Sequence, residues 1–155
     1  MRKISLFLIF SAFSLLLASC GSASKLSKAG QEWNYEIESV GVGVEGTYAV
    51  RVWSYYRNPD MPVEIPKKNA VHAVIFKGVP AGGGASAQPP LKTDAVTASD
   101  SVFFDNFFQG EYKNYINSMA SGSRQVLKVK SRNYKYKIGY VLSVAKDRLR
   151  KRLEE

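Results

Sequence analysis

The chain has 155 residues, 22 of them basic and 13 acidic, which gives a formal net charge of +9 at neutral pH. This length suits one domain with an ordinary hydrophobic core, and a single cysteine excludes an internal disulfide framework and a cysteine-rich metal site. The positive charge favours anionic partners, which include nucleic acid, anionic lipid and anionic polymers.

The first residues have the three parts of an export signal. Arg2 and Lys3 precede an uncharged, mostly apolar run from Ile4 to Ala18, and small residues follow. This run is too short to span a bilayer, which takes roughly 20 apolar residues. We therefore predict that residues 1–19 are a signal peptide that is removed from the mature protein.

The only cysteine follows this run in the sequence Leu17-Ala18-Ser19-Cys20, which resembles the lipobox of bacterial lipoproteins. The resemblance implies a diacylglycerol on the Cys20 sulfur and a further acyl chain, such as palmitate, on its new amino group. Two or three chains hold a protein at a bilayer because each buried methylene contributes roughly 0.8 kcal/mol. The alternative is an unmodified reactive thiol in a cleaved peptide.

Residues 20–30 are small and polar and have no periodic apolar face, so we predict a flexible tether. In the lipoproteins that the chain resembles, an acidic residue or cluster after the cysteine directs retention in the inner membrane or display on the surface. Gly21 and Ser22 are uncharged. The resemblance therefore implies an outer-membrane lipoprotein that faces the periplasm, where little nucleic acid is met, and no nucleic-acid partner is expected.

The folded domain is predicted to span residues 31–155 and to begin with two strands. Trp33, Tyr35 and Ile37 alternate with polar residues, and residues 47–56 are rich in β-branched and aromatic types. Between them lies GVGVEG, residues 41–46, a literal GxGxxG. A dinucleotide site needs a helix directly after these glycines, whereas here a strand follows. We therefore predict a glycine turn or bulge and no cofactor.

The pattern becomes helical from Ile65 to Lys77, with Gly78 as the expected end. The only histidine, His72, lies on this helix without a second histidine or a carboxylate at ligand spacing. We predict a packed or half-exposed histidine in preference to a catalytic base. The following residues 80–92, PAGGGASAQPPLK, are predicted to form a long, mobile loop.

A second helix is predicted from Thr97, whose spacing to Asp100 fits a capping box, up to Gly110. It carries four phenylalanines, Phe103, Phe104, Phe107 and Phe108. For these, burial in the core is favoured over an exposed docking patch. A shorter amphipathic helical segment, Tyr112 to Met119, is predicted to follow it.

The C-terminal third predicts a β-hairpin, RQVLKVKS and YKYKIGYVLSV, with its turn around Arg132 and Asn133. The last segment, KDRLRKRLEE, predicts a helix with Leu149 and Leu153 one turn apart among basic residues. This helix either packs its leucines on the sheet or contacts a membrane surface or an anionic polymer.

Together these elements predict a single α+β domain with a mainly antiparallel sheet of about four strands, packed with two to four helices. The stretch GVGVEGTYAVRVWSYY followed by KKNAVHAVIFKG resembles small envelope lipoproteins whose strands run into an alanine-spaced helix. Curli-secretion lipoproteins, penicillin-binding-protein activators and the N-terminal domain of a flagellar assembly protein share such a module. The resemblance implies an accessory role in an envelope machine.

No HExxH, GxSxG or phosphate-loop motif appears, so we expect neither an enzyme nor a resident metal or cofactor. The predicted function is that of a membrane-anchored, non-enzymatic accessory or interaction subunit of a cell-envelope complex. Two alternatives stay open, which are a binder of anionic envelope glycan, such as peptidoglycan or lipopolysaccharide, and a hydrolase.

The predicted partner-binding face combines the glycine turn, residues 41–46, with residues 67–78 of the first helix. The loop 80–92 is expected beside it. Lys67, Lys68 and Lys77 are expected to make polar contacts at its rim, and a merely solvated helix face is the alternative.

Overall fold

The structure, a computed structural model, describes residues 33–155. The predicted signal peptide, the lipidation of Cys20 and the tether lie outside these residues. Residues Asn34–Glu155 form one compact unit. Its three α-helices and five-stranded antiparallel sheet make it an α+β domain, as predicted. Within the described residues, no helix has the length and apolar character needed to cross a membrane.

The elements fall close to their predicted positions. In chain order they are β1 (Tyr35–Gly41), β2 (Tyr48–Tyr56), α1 (Glu64–Phe76), α2 (Ala98–Phe107), a 3-10 helix (Glu111–Tyr115), β3 (Ile116–Met119), β4 (Gln125–Lys128), β5 (Tyr136–Val144) and α3 (Lys146–Glu154). Gly78 follows α1 with a φ of +75°, and its N–H donates to the Ala73 carbonyl at 2.8 Å. The capping box of Thr97 and Asp100 begins α2, as predicted.

The sheet has β5 in an interior position. β1 pairs with β2 and β2 with β5, while β3 and β4 lie one after the other along the far edge of β5. β4 pairs with the first half of β5, with Lys128 opposite Tyr136, and this confirms the predicted hairpin. β3 pairs with its last residues, with Ile116 opposite Val144. Every pairing is antiparallel.

The prediction of a helix from Tyr112 to Met119 is wrong. This segment is a 3-10 turn followed by β3, and β3 raises the number of strands above the four that were expected. Tyr112 is buried and its hydroxyl donates to Glu64 at 2.9 Å, whereas Ile116 joins β5 opposite Val144. Pairing with a distant strand overrides the local helical spacing, as is common for short segments.

The hydrophobic core lies between the sheet and the helices. α1 packs across β2 and β5, and its Val71, Val74 and Ile75 are fully buried. The phenylalanines of α2 belong to this core, as predicted, because Phe104, Phe107 and Phe108 are buried and Phe103 is half-buried. α3 buries Leu149 completely, and Leu153 is half-buried; among its basic side chains Arg148, Arg150 and Lys151 are exposed.

Candidate functional site

A groove of about 400 Å³ lies where the turn between β1 and β2 meets the segment after α1 and the start of α3. It is lined by Ser39, residues 41–49, Val79, residues 84–86, Gln88 and Lys146. Three distant parts of the sequence therefore form one site.

The first wall is the glycine turn, residues 41–46. A β-bulge shifts the register of β1 between Ser39 and Gly41, where Gly41 has a φ of +143°. The turn then closes through the N–H and the hydroxyl of Thr47, which donate to the Val44 carbonyl at 2.9 and 2.6 Å. Gly46 takes the third position of this turn with a φ of +76°, which disfavours other residues. The prediction of a glycine turn or bulge is confirmed, and both are present.

The second wall is a small hairpin, residues 79–88, which overlaps the segment 80–92 that was predicted to be a loop. Val79 and Gln88 exchange two backbone hydrogen bonds of 2.9 and 2.8 Å, and Gly82 and Ala85 exchange two of 3.0 and 2.9 Å. Gly83 and Gly84 have φ values of +57° and +82°, as in a type I′ turn. The three consecutive glycines, Gly82 to Gly84, were the available sequence signal for this turn.

The hairpin sits directly on the bulge of β1. A Cβ atom added to Gly83 would lie 2.5 Å from the carbonyl carbon of Val40 and 2.6 Å from the amide nitrogen of Gly41. Such a distance is far inside van der Waals contact, so only a glycine allows the two backbones to approach this closely. The glycine turn and the segment 80–92 are thus adjacent, as was predicted.

The third wall comes from the start of α3 and was not predicted. The Asp147 N–H donates to the Gly46 carbonyl at 3.2 Å, which ties the helix to the glycine turn. Lys146 Nζ lies 5.1 Å from the ring centroid of Tyr48, and the Tyr48 hydroxyl donates to Gln88 Oε1 at 3.2 Å. Burial raises the pKa of Tyr48, which keeps its hydroxyl protonated as a hydrogen-bond donor.

Two valines at the glycine turn are exposed to solvent. Val42 is 82% exposed and Val44 is 77% exposed, although both line the groove. Around them are backbone amides, hydroxyl groups and the Lys146 ammonium group. This combination can bind a polypeptide by apolar contact with its side chains and by hydrogen bonds to its main chain. The described residues contain no cluster of side chains suited to a metal ion.

The three predicted rim lysines lie elsewhere. Lys67 forms an ion pair of 3.1 Å with Glu64, Lys68 lies over the Tyr112 ring, and Lys77 lies over the Tyr35 ring with its Nζ 3.9 Å from the centroid. None of them lines the groove. The structure therefore joins the glycine turn to the hairpin and to Lys146, and does not join it to these three lysines.

His72 is half-buried, as predicted, and its Nδ1 lies 2.6 Å from the Tyr35 hydroxyl. The ring also packs against Phe76 and Phe108. Burial, with the nearby Lys77 ammonium as a second cause, lowers the pKa of His72 to about 3. The imidazole therefore stays neutral near pH 7. His72 does not line the groove.

Among residues 33–155, every carboxyl group with a displaced pKa has it displaced downwards. Hydrogen bonds from Lys137 and Tyr55 lower the pKa of Glu36, and the helix cap at Thr97 lowers that of Asp100. Burial opposes the shift at Glu64, but hydrogen bonds from Lys67, Tyr112 and Lys113 lower its pKa overall. These three carboxylates stay ionised and are poor general acids at neutral pH.

No protein family matches the chain, and no curated protein or solved structure is significantly similar to it.

Proposed function

We propose that the protein is a membrane-anchored lipoprotein that acts as a non-enzymatic interaction subunit of a cell-envelope complex. The groove beside the glycine turn is its docking site for a partner protein. The observation that carries this proposal is the exposure of Val42 and Val44 at the rim of a groove whose walls are rich in backbone polar groups. Exposed aliphatic side chains next to such groups are typical of an interface that becomes desolvated on binding.

The construction of the groove supports a rigid docking site. Hydrogen bonds fix the glycine turn at Thr47 and at Asp147, and the hairpin is seated on the bulge of β1. A preformed surface loses little conformational entropy when a partner binds, and the two valines then contribute apolar contact.

The membrane anchor is the second part of the proposal, and it predicts the processing of the N-terminus. We expect the mature protein to begin at an acylated Cys20, because Leu17-Ala18-Ser19-Cys20 ends the apolar run. Cys20→Ala should yield protein that is unprocessed or is released from the membrane fraction. Mass spectrometry of the mature N-terminus checks this, and an unmodified cysteine or a start at another residue would contradict it.

The docking site is tested by the double substitution Val42→Ser and Val44→Ser in the full chain. Capture of cross-linked partners from gently solubilised membranes should fall at least about tenfold, which corresponds to about 1.4 kcal/mol of lost apolar contact. The melting temperature should stay within a few degrees of the parent protein because neither side chain is buried.

Val102→Ser provides the matched control. Val102 is 63% exposed on α2 and does not line the groove, so this variant should retain every partner. If the double variant at residues 42 and 44 also retains them, the groove is not the docking site. If capture by the parent protein disappears at moderate salt, an anionic glycan is the better candidate ligand.

A further inference from the structure

A second surface lies at the far edge of the sheet. β4 (Gln125–Lys128) pairs with β5 on one side and with no described strand on the other, and all four of its residues are exposed. It is remote from the groove along the sheet. Tyr48, at the groove, is opposite Val144 at the end of β5, whereas Lys128 is opposite Tyr136 at its start.

The hydrogen-bonding pattern shows which backbone groups of β4 are free to bind a further strand. The Ala120 N–H donates to the Val141 carbonyl and the Val129 N–H to the Lys135 carbonyl, so the odd-numbered residues of this part of β5 face β4. Backbone groups in an antiparallel ladder alternate in direction. The N–H and C=O groups of Val126 and Lys128 therefore point away from β5, towards the open edge.

The side chains at this edge are partly apolar. Val126 is 38% exposed and Leu127 is 49% exposed, and successive residues of a strand point to opposite faces of the sheet. An additional strand placed alongside β4 would thus meet an aliphatic side chain on each face. Natural proteins usually protect such edges with charge, bulges or a covering segment.

The charge that this part of the sequence contributes has one sign. The sequence contains no acidic residue between Glu111 and Asp147. Lys128, Lys130, Arg132 and Lys135 are exposed around β4, and no ion pair within the described residues joins any of them to a carboxylate. We call β4 together with these four cations the basic edge.

From these observations we infer that the basic edge binds an acidic polypeptide segment in extended conformation, which adds to the sheet as a further strand beside β4. The outward N–H and C=O groups of Val126 and Lys128 would pair with its main chain, and the four cations would pair with its carboxylates. A second copy of this chain is disfavoured because it would bring two sets of like charges together.

A polypeptide fits this edge better than a lipid surface does. Lipid headgroups can neutralise the four cations, but they cannot supply the alternating donors and acceptors that a free strand edge presents. Since the basic edge and the groove lie at opposite ends of β5, one molecule could hold two protein partners at once. This inference concerns a surface separate from the proposed docking groove, and either one can fail alone.

The test uses the purified full-length chain and a fluorescent eight-residue peptide of alternating glutamate and valine as the probe. Lys128→Glu with Lys130→Glu should weaken binding of this peptide at least tenfold. Arg148→Glu with Lys151→Glu makes the same change in net charge on exposed residues of α3 and should leave the affinity within about twofold. Equal effects of both pairs would mean nonspecific charge attraction and would overturn the inference.

Val126→Pro tests the strand pairing separately from the charge. Proline lacks the N–H that points to the open edge and is tolerated on edge strands, so the ladder between β4 and β5 is kept. We expect peptide affinity to fall at least fivefold while circular dichroism and the melting temperature change little. If the Val126→Pro variant does not fold, the inference is decided by the two double charge-reversal variants alone.

Vesicles of equal parts phosphatidylglycerol and phosphatidylcholine serve as the competing ligand. If they bind in a way that depends on Lys128 and Lys130 while the peptide does not bind, the edge is a lipid-contact surface and the inference is wrong. If neither probe responds to the charge reversal, the lysines serve only to keep copies of the chain apart, which also overturns it.

Discussion

Replacing Gly83 by alanine is expected to destabilise the protein by about 3 kcal/mol. The residue has a φ of +57°, which costs an alanine roughly 1–2 kcal/mol, and its added Cβ would lie 2.5 Å from the Val40 carbonyl carbon. The added Cβ would also lie 2.6 Å from the amide nitrogen of Gly41. Because these two atoms belong to the backbone of β1, the hairpin must move away from the bulge. Overpacking of this kind costs roughly 1–3 kcal/mol. Urea unfolding monitored by circular dichroism measures the change.

Gly84→Ala separates the two causes. Gly84 has a φ of +82° in the same turn, but an added Cβ would meet nothing within 4 Å. We expect this variant to lose only about 1 kcal/mol, the cost of the backbone conformation. Equal destabilisation by the two substitutions would show that the hairpin is not packed against β1, and the second wall of the groove would then be wrongly placed.

The free energy of unfolding is expected to fall by about 2 kcal/mol when the pH is lowered from 7.5 to 5. His72 has a pKa of about 3 in the folded protein, whereas a histidine in an unfolded chain has a pKa near 6.5. Below pH 6.5 the unfolded chain therefore binds a proton that the folded protein does not accept until the pH approaches 3. Stability is fully present above pH 7 and is lost as the pH falls through this window.

His72→Gln provides the control for this titration. Glutamine removes the titratable group but keeps a side chain that can hydrogen-bond to Tyr35, so the pH dependence between 7.5 and 5 should become nearly flat. His72 is the only histidine of the chain, and carboxyl groups titrate mainly below this range. An equal pH dependence in both proteins, measured by urea unfolding, would mean that His72 is accessible to protons in the folded state.

Much of the fold could be predicted because its signals are local. The alternation in β1 and β2, the capping box of Thr97 and Asp100, and the glycine after α1 each act within a few residues. The segment Tyr112 to Met119 could not be predicted in this way. Its apolar spacing fits a helix, but pairing with β5, more than twenty residues later, decides its conformation.

The candidate site was predictable only in part, for the same reason. The glycine turn and the segment 80–92 are rich in glycine and proline, which indicates turns wherever they lie. Lys146 carries no such signal, and it reaches the groove only because the register of β2 against β5 places Tyr48 opposite Val144. The resemblance to envelope lipoproteins predicts Lys67 and Lys68 at the rim, but in the fold they contact Glu64 and Tyr112 and do not line the groove.

The proposed role in an envelope complex depends most directly on which protein contacts the glycine turn in the intact cell. The decisive measurement is photo-cross-linking in intact cells that carry the full chain with a benzophenone amino acid at position 44, and in a second strain at position 102. The proposal predicts one reproducible protein adduct from position 44 and none from position 102. Adducts that are absent at position 44, or that form equally at both positions, would contradict a docking site in the groove.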